Sequence, residues 1–385
     1  MNKTQDVKLQ NISAIVRCIK KDGPISKNQI ATSLGLTIMT VNNLVTELCE
    51  CGICVESGKF ISNGGRRAVL YQLNGSFGYI IGAQLARSYV STAVYDLDLG
   101  CVAEQETVRC DLSDVASSIN LLKAKIKEAK KAFAGKNILG VGITVPGRVS
   151  DTGVIIPEYP VWQSVDLASV ISESVRLPVF VDNDTNALAL SFKWNDASHD
   201  TGDFVFLRTD GGIGAGVVLD GNIFYGSSNG GCEIGHTVLN PRGRKCKCGN
   251  FGCLETYACV EGRLSELGCS ELSQAVELYK SGNPLAKEIF HEAAQYLALT
   301  FINTAKLYDP KLIIFENKWL CELPSLLEEI QNSFLTALAR RTGASPLALR
   351  YNKNKKISDP AAAAIVFERF MQEPMCDAFL LGRIV

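Results

Sequence analysis

The chain has 385 residues, room for two or three domains, and its 46% hydrophobic and 21% charged content excludes a wholly disordered polymer. Net charge is −1, which excludes a polycation, and no run approaches the roughly 20 apolar residues of a membrane span. The opening MNKTQDVKLQNISAI has no apolar run of the signal-peptide kind, so the fourteen cysteines are expected in a reducing cytoplasm.

Residues 1–75 hold nine Lys/Arg against five Asp/Glu, a basic module on an acidic remainder. Ile12, Ile15, Val16 and Ile19 repeat at helical spacing, and the helix should stop near Lys21-Asp22-Gly23-Pro24. Ser26 can cap a short second helix with Ile30, Ala31 and Leu34 inward, and Gly35 makes a turn. Thr37 can cap a third helix that buries Val41, Leu44, Val45 and Leu48 and presents Thr40, Asn42, Asn43 and Thr46 outward. This is a helix-turn-helix, and short hydrogen-bonding side chains suit base edges and phosphates. Two strand-like runs follow, joined at Gly64-Gly65 with Arg66 and Arg67 beside the tip. Together they read as a winged helix whose paired arginines reach phosphates or the minor groove. A winged helix used for protein contact is the alternative. Cys49, Cys51 and Cys54 have no nearby His and read as packing.

Beyond residue 76, Gly78 to Ala86, Tyr89 to Asp96 and Cys101 to Arg109 read as strands, and Val115 to Phe133 as an amphipathic helix. Ile138 to Val145 is a buried strand ending at Pro146-Gly147. A helix from Val165 to Arg176 and a strand from Pro178 to Val181 lead to a polar turn, Asp182-Asn183-Asp184. A second lobe opens near Asp203, with a Gly-rich turn at 210–216, helices from Thr256 to Tyr308, a strand at Leu312 to Phe315 and an Ala-rich helix from Asp359 to Phe370. Alternation of strands and helices indicates α/β lobes, and no repeat of fixed period is visible.

The stretch 231–257 concentrates chemistry. Cys246, Cys248 and Cys253 fall within eight positions, with Gly249 and Gly252 between them and His236 ten residues upstream. Three thiolates and one imidazole are the donor set of a closed, structural Zn²⁺ site. A disulfide with a spare thiol, or plain burial, are the alternatives. Arg242, Arg244, Lys245 and Lys247 are expected to help keep the thiols ionised. Glu233 and Glu255 bracket the cluster and are surplus to it, which suggests that the metal shapes a polar ligand site.

On these residues the chain resembles the ROK family (repressors, open reading frames and kinases), in its regulator branch, over nearly its whole length. The resemblance is carried by E-x-G-H at 233–236, C-x-C-G-x-x-G-C-x-E at 246–255, V-P-G at 145–147, D-N-D at 182–184 and Gly-Gly-Arg-Arg at 64–67. It implies an actin-like, sugar-kinase fold of two lobes behind a winged helix-turn-helix. Lobe one would span about 76–190 plus a C-terminal helix, 358–385, and lobe two about 191–357. It also implies a homodimer or homotetramer and a sugar or sugar phosphate held by Gly147, Asn183, Asp184, Glu233, His236 and Glu255. In family kinases the residue matching Asp184 is the catalytic base.

The family's D-x-G-G-T phosphate loop is degenerate here, with Gln84, Ala86 and Arg87 in place of its Asp and two glycines. Backbone amides cradle phosphates only where small residues permit close approach. The second phosphate turn opens with Asp210-Gly211, and Ile313-Ile314 leads into Phe315-Glu316-Asn317 rather than Gly-Gly. Glu158 stands where family members often carry an Asn. The expectation is a sugar-responsive, DNA-binding transcriptional regulator, a repressor of carbohydrate genes without kinase activity. An ATP-dependent sugar kinase fused to a DNA-binding domain, and a ligand-independent DNA-binding protein, are the alternatives.

Overall fold

The computed structural model describes residues 3–60, 68–150, 153–156, 160–163, 165–195, 202–339, 347–353 and 360–372. Helix α1 (Lys3–Asp22) buries Ile12, Ile15, Val16 and Ile19, the expected stripe. Strand β1 (Ile25–Ser26) is two residues long, too short for any period to announce it. Ser26 caps α2 (Lys27–Leu34) in a reciprocal box with Gln29. Thr37 caps α3 (Ile38–Glu50), which turns Val41, Leu44, Val45 and Leu48 inward. Strands β2 (Cys54–Phe60) and β3 (Ala68–Leu73) pair antiparallel, and β1 joins β3 to complete the order β1-β3-β2. Arg66 and Arg67 lie outside the described residues.

The chain divides into two compact units. One comprises Met1–Pro146, Ser164–His199 and Lys356–Val385, and the other Gly147–Gln163 and Asp200–Lys355. In the first unit β4 (Tyr79–Leu85) and β5 (Tyr89–Asp96) form a hairpin. The single strand expected from Cys101 to Arg109 is two pieces, β6 (Cys101–Glu104) and β7 (Val108–Arg109), both on β5. Helix α4 (Val115–Ala132) crosses to β8 (Ile138–Val145), which lies parallel to β4. The small hairpin of β9 (Arg148–Ser150) and β10 (Gly153–Ile155) belongs to the second unit. Helix α5 (Leu167–Val175) then precedes β11 (Val179–Asn183), parallel to β8.

Asp182, Asn183 and Asp184 are not the polar turn that their composition suggests. The first two end β11, and Asp184 begins α6 (Asp184–Asn195), a helix that the sequence reading lacked. Thr185, Ala187, Leu188, Ala189, Leu190, Ser191, Phe192 and Trp194 are all buried. A helix covered on every side shows no amphipathic period.

The second unit has β12 (Phe204–Arg208), β13 (Gly214–Leu219) and β14 (Asn222–Ile223) in antiparallel succession. Helices α7 (Glu255–Ala258), α8 (Leu272–Lys280) and α9 (Pro284–Tyr308) follow. Strand β15 (Leu312–Glu316), helix α10 (Pro324–Leu338) and strand β16 (Ala348–Tyr351) complete it, with β12, β15 and β16 parallel. Its core sets Phe290 edge-on to Trp319 and Phe301 at a tilt to Phe315, with ring centroids 5.3 and 4.6 Å apart. Both sheets share one plan. The orders β11-β8-β4-β5-β6 and β14-β13-β12-β15-β16 each place an antiparallel run beside two further parallel strands. The fold repeats although the sequence does not.

The last helix, α11 (Ala361–Gln372), returns to the first unit and lies on β4 and β8. Its small residues meet glycines: a Cβ at Gly142 would stand 1.8 Å from the Ala362 carbonyl oxygen. Only a glycine there lets helix and sheet approach so closely.

Candidate functional site

His236, Cys246, Cys248 and Cys253 offer four ligand atoms that all lie within 4.8 Å of one another, a group that can hold a metal ion. His236 Nδ1 is 3.5 Å from Cys246 Sγ, and Cys248 Sγ is 3.6 Å from Cys253 Sγ. Local backbone builds this cluster. Lys245 bridges to Phe251 and Val238 to Cys253, so two short antiparallel contacts fold the loop onto itself. Gly252 sits at φ +70°, and a Cβ on it would be 1.6 Å from the Asn240 carbonyl oxygen. Burial pushes the Cys246 thiol up and the Cys253 thiol up to about 12. At Cys248 burial acts the same way, but hydrogen bonds from the Asn250 amide and the neighbouring thiols outweigh it and hold that thiol low.

Two of the loop's four basic residues, Arg244 and Lys247, pair with carboxylates rather than with the thiols. Arg244 donates to Glu292 at 2.9 Å and to the Thr256 carbonyl at 3.2 Å, and stacks 4.6 Å over the Tyr257 ring. Arg263 joins the same Glu292 carboxylate and also pairs with Glu266. The loop is thereby pinned to α9. Lys247, between two cysteines, pairs with Glu255 at 3.0 Å. The other Glu255 oxygen accepts from the Ile213 amide at 2.9 Å. One carboxylate thus ties the metal loop to the turn that opens β13. Neither partner of Glu255 carried a sequence signal, because spacing says nothing about which charge a loop cation will meet. Glu233 precedes the short 3₁₀ turn Ile234–His236, where its carbonyl accepts from the His236 amide at 3.0 Å. Gly147 packs against β10, since a Cβ there would be 2.5 Å from the Ile155 carbonyl oxygen.

In the first unit, the Asn183 side-chain oxygen caps α6 through the amides of Thr185 (2.8 Å) and Asn186 (3.2 Å). Asp184 is the first residue of that helix and accepts from the Thr185 hydroxyl at 3.3 Å. The far end of α6 carries Lys193 and Trp194. Lys193 donates to both Glu368 oxygens of α11 at 2.8 Å, and Trp194 Nε1 to one of them at 2.7 Å. The Arg17 guanidinium of α1 lies 5.8 Å over the Trp194 ring. Ser13 donates to the Met371 carbonyl, and Lys20 to Asp98 at 2.9 Å. Helix α6 therefore begins at Asn183-Asp184 and ends against the first helix of the winged module.

At the end of β4, Tyr89 donates to the Gln84 side chain at 3.2 Å, and the Ala86 amide bonds the Tyr89 carbonyl at 2.8 Å. The Gly-rich turn at 210–216 is tied down by hydrogen bonds as well. Asp210 accepts from the Lys318 amide at 2.6 Å, while Asn317 bonds Thr209 and caps the amides of Trp319 and Leu320. Glu261 is half-buried beside this turn, and its desolvation, with Asp210 adding, raises its pKa.

On α3, Asn42, Asn43 and Thr46 are exposed. Thr40 is half-buried and its hydroxyl lies 2.9 Å from that of the capping Thr37, which draws it toward the helix end. The sequence reading passed over Met39, which is 73% exposed on the same outward stripe.

The profile described as the ROK family matches residues 80–366, and one described as winged helix-turn-helix DNA-binding matches residues 10–53. The xylose repressor of Caldicellulosiruptor bescii is 30% identical over 330 residues, covering 79% of this chain and 82% of that protein. The N-acetylglucosamine repressor of Escherichia coli O157:H7 is 30% identical over 335 residues, covering 80% of each. A solved ROK family transcriptional regulator, described as a homologue of the E. coli MLC protein, has a TM-score of 0.76 at 25% identity over 98% of both chains. The ROK hexokinase of Thermus thermophilus shares the fold at a TM-score of 0.64 and 24% identity, covering 75% of this chain and 98% of its own. Fold and site define a winged helix-turn-helix regulator built on a sugar-kinase scaffold. The chain belongs to the ROK family. Among the described residues, no helix is long and apolar enough to cross a membrane.

Proposed function

We propose that this protein is a cytoplasmic, homodimeric or homotetrameric repressor of carbohydrate genes that binds operator DNA and answers to a sugar. The observation that carries the reading is the span of α6. It joins Asn183 and Asp184, two proposed sugar contacts, to Arg17 of the winged module through Trp194. Gly147, Glu233, His236 and Glu255 are the remaining proposed contacts. Half-buried Asn183, Asp184 and Glu255 suit vicinal hydroxyls, because a sugar that leaves such a group unpaired in its bound state is rejected. A ligand on Asp184 that binds two positions of α6 with different affinity shifts the winged module between operator-competent and released states. A coupling of about 1–3 kcal/mol changes operator affinity by roughly 5- to 150-fold.

The metal we assign to the cluster is zinc. With bonds of about 2.3 Å to sulfur and 2.0 Å to nitrogen, a tetrahedral zinc has S–S edges near 3.8 Å and S–N edges near 3.5 Å. The separations of 3.6 and 3.5 Å fit these edges. His236, Cys246, Cys248 and Cys253 would supply all four donors, a set that suits an ion of structural role ordering the loop that carries Glu233, His236 and Glu255.

Loss of kinase activity is part of the same reading. Phosphoryl transfer rests on positioned amides and cations. Here Gln84 and Tyr89 occupy one phosphate turn, and Asp210 and Glu261 bring acid to the other.

The test uses the full chain and an operator recovered by selection from random duplexes. Sugars and sugar phosphates, xylose and N-acetylglucosamine among them, are titrated with and without ATP. One compound is expected to change operator affinity at least fivefold, independently of ATP. No response across the panel would sink the sensor reading, and sugar-dependent ATP hydrolysis would restore the kinase.

A further inference from the structure

We propose that Met39 reads the 5-methyl group of a thymine in the operator's major groove. The inference rests on α3 being the helix that enters that groove. Met39 is its second residue, and the N-terminal residues of a recognition helix are those that reach base edges. At 73% exposure it is the most exposed large apolar side chain among the described residues. The fold therefore gains little from a methionine at this position.

Its neighbours define its partner. Met39, Asn42, Asn43 and Thr46 follow the i, i+3, i+4, i+7 spacing of one helix face, opposite the buried Val41, Leu44, Val45 and Leu48. From Ile38 to Thr46 the helix carries no charged side chain. One cation flanks the stripe instead. Lys27 donates to the Thr46 hydroxyl at 3.1 Å and to the Asn42 carbonyl at 3.4 Å, which places a positive charge beside it for a phosphate. Asparagines hydrogen-bond to base edges, and a thioether does not. The apolar feature that the major groove offers is the thymine methyl. A flexible, polarizable methionine adapts to such a contact.

Operators enriched by the full-length protein are remade with each thymine replaced in turn by deoxyuridine, which pairs identically but lacks the methyl. Wild-type protein is expected to lose about fourfold in affinity at one thymine per half-site, the contribution of one buried methyl. Met39→Ala should bind the parent operator correspondingly more weakly and be indifferent to uracil at that position, while Met39→Leu keeps the sensitivity. Asn42→Ala should keep it as well. A Met39→Ala protein with the uracil profile of wild type overturns the proposal and leaves DNA binding intact. So does a Met39→Ala protein whose only change is its oligomeric state, since that outcome makes the residue a contact between copies. A pool that enriches no duplex overturns both this proposal and the operator-binding reading.

Discussion

Lys247 Nζ lies 3.0 Å from Glu255 Oε1, and this pair joins the metal loop to a proposed sugar contact. Lys247 sits between Cys246 and Cys248, so any shift of the metal centre moves the cation that holds the carboxylate. The pair is partly exposed on the lysine side, which limits its contribution to roughly 1 kcal/mol or less. Lys247→Met is therefore expected to weaken sugar binding about fivefold or less, measured by calorimetry, while metal content stays at one equivalent. Unchanged affinity would separate the loop from sugar recognition.

Metal removal should act on a larger scale. Cys246→Ala takes away one of four donors, and the protein is expected to lose its metal, melt earlier and respond less to sugar, although Cys246 need not touch the sugar. Metal analysis, thermal unfolding and the operator titration report the three effects. Loss of metal with unchanged sugar affinity would refute the coupling. Acidity should do the same reversibly. Each ligating thiol gives up a proton, so affinity rises with pH, by up to about three decades per unit when all three ionise on binding. Burial, which holds the metal-free Cys253 thiol up to about 12, strengthens that dependence. Retention against a chelator should fall steeply on acidification, and a flat profile would exclude thiolate ligation.

The pair of Lys193 and Glu368 is buried, with side-chain exposures of 13% and 8%. Glu368→Gln leaves the ammonium without its counter-charge and is expected to cost about 3 kcal/mol in denaturant unfolding. Burial already holds Lys193 below the usual lysine range, with Glu368 opposing. In the variant its folded pKa falls further below the unfolded one, so the unfolded state binds more protons and stability rises with pH toward about 10. Replacing both partners by apolar residues should recover most of the loss. A Glu368→Gln protein as stable as wild type would show that the pair does not hold α6 to α11.

Arg67→Ala tests the wing. Operator affinity is expected to fall evenly across sequences, and the slope of log affinity against log salt to drop by about one. A slope identical to that of wild type would take the wing out of the interface.

The legible parts of this molecule are short-range. Ser26 and Thr37 announce their helices because a cap acts within three residues. The four metal donors are recognisable from spacing alone, because the loop that gathers them closes on itself within 231–257. What spacing could not show is longer in reach. Helix α6 reads as a turn because its buried faces erase the helical period and its first residues are polar. The partner of Lys193 lies 175 residues away, and Arg244 meets Glu292 across 48. By itself the sequence determined the winged module and the Cys/His cluster that can hold a metal, each fixed by side-chain chemistry within a few residues. Tertiary structure decided that Lys247 and Arg244 serve Glu255 and Glu292 and that α6 runs from Asp184 to the first helix of the winged module. Those choices depend on which residues, distant in sequence, each unit packs together, and no local pattern encodes them.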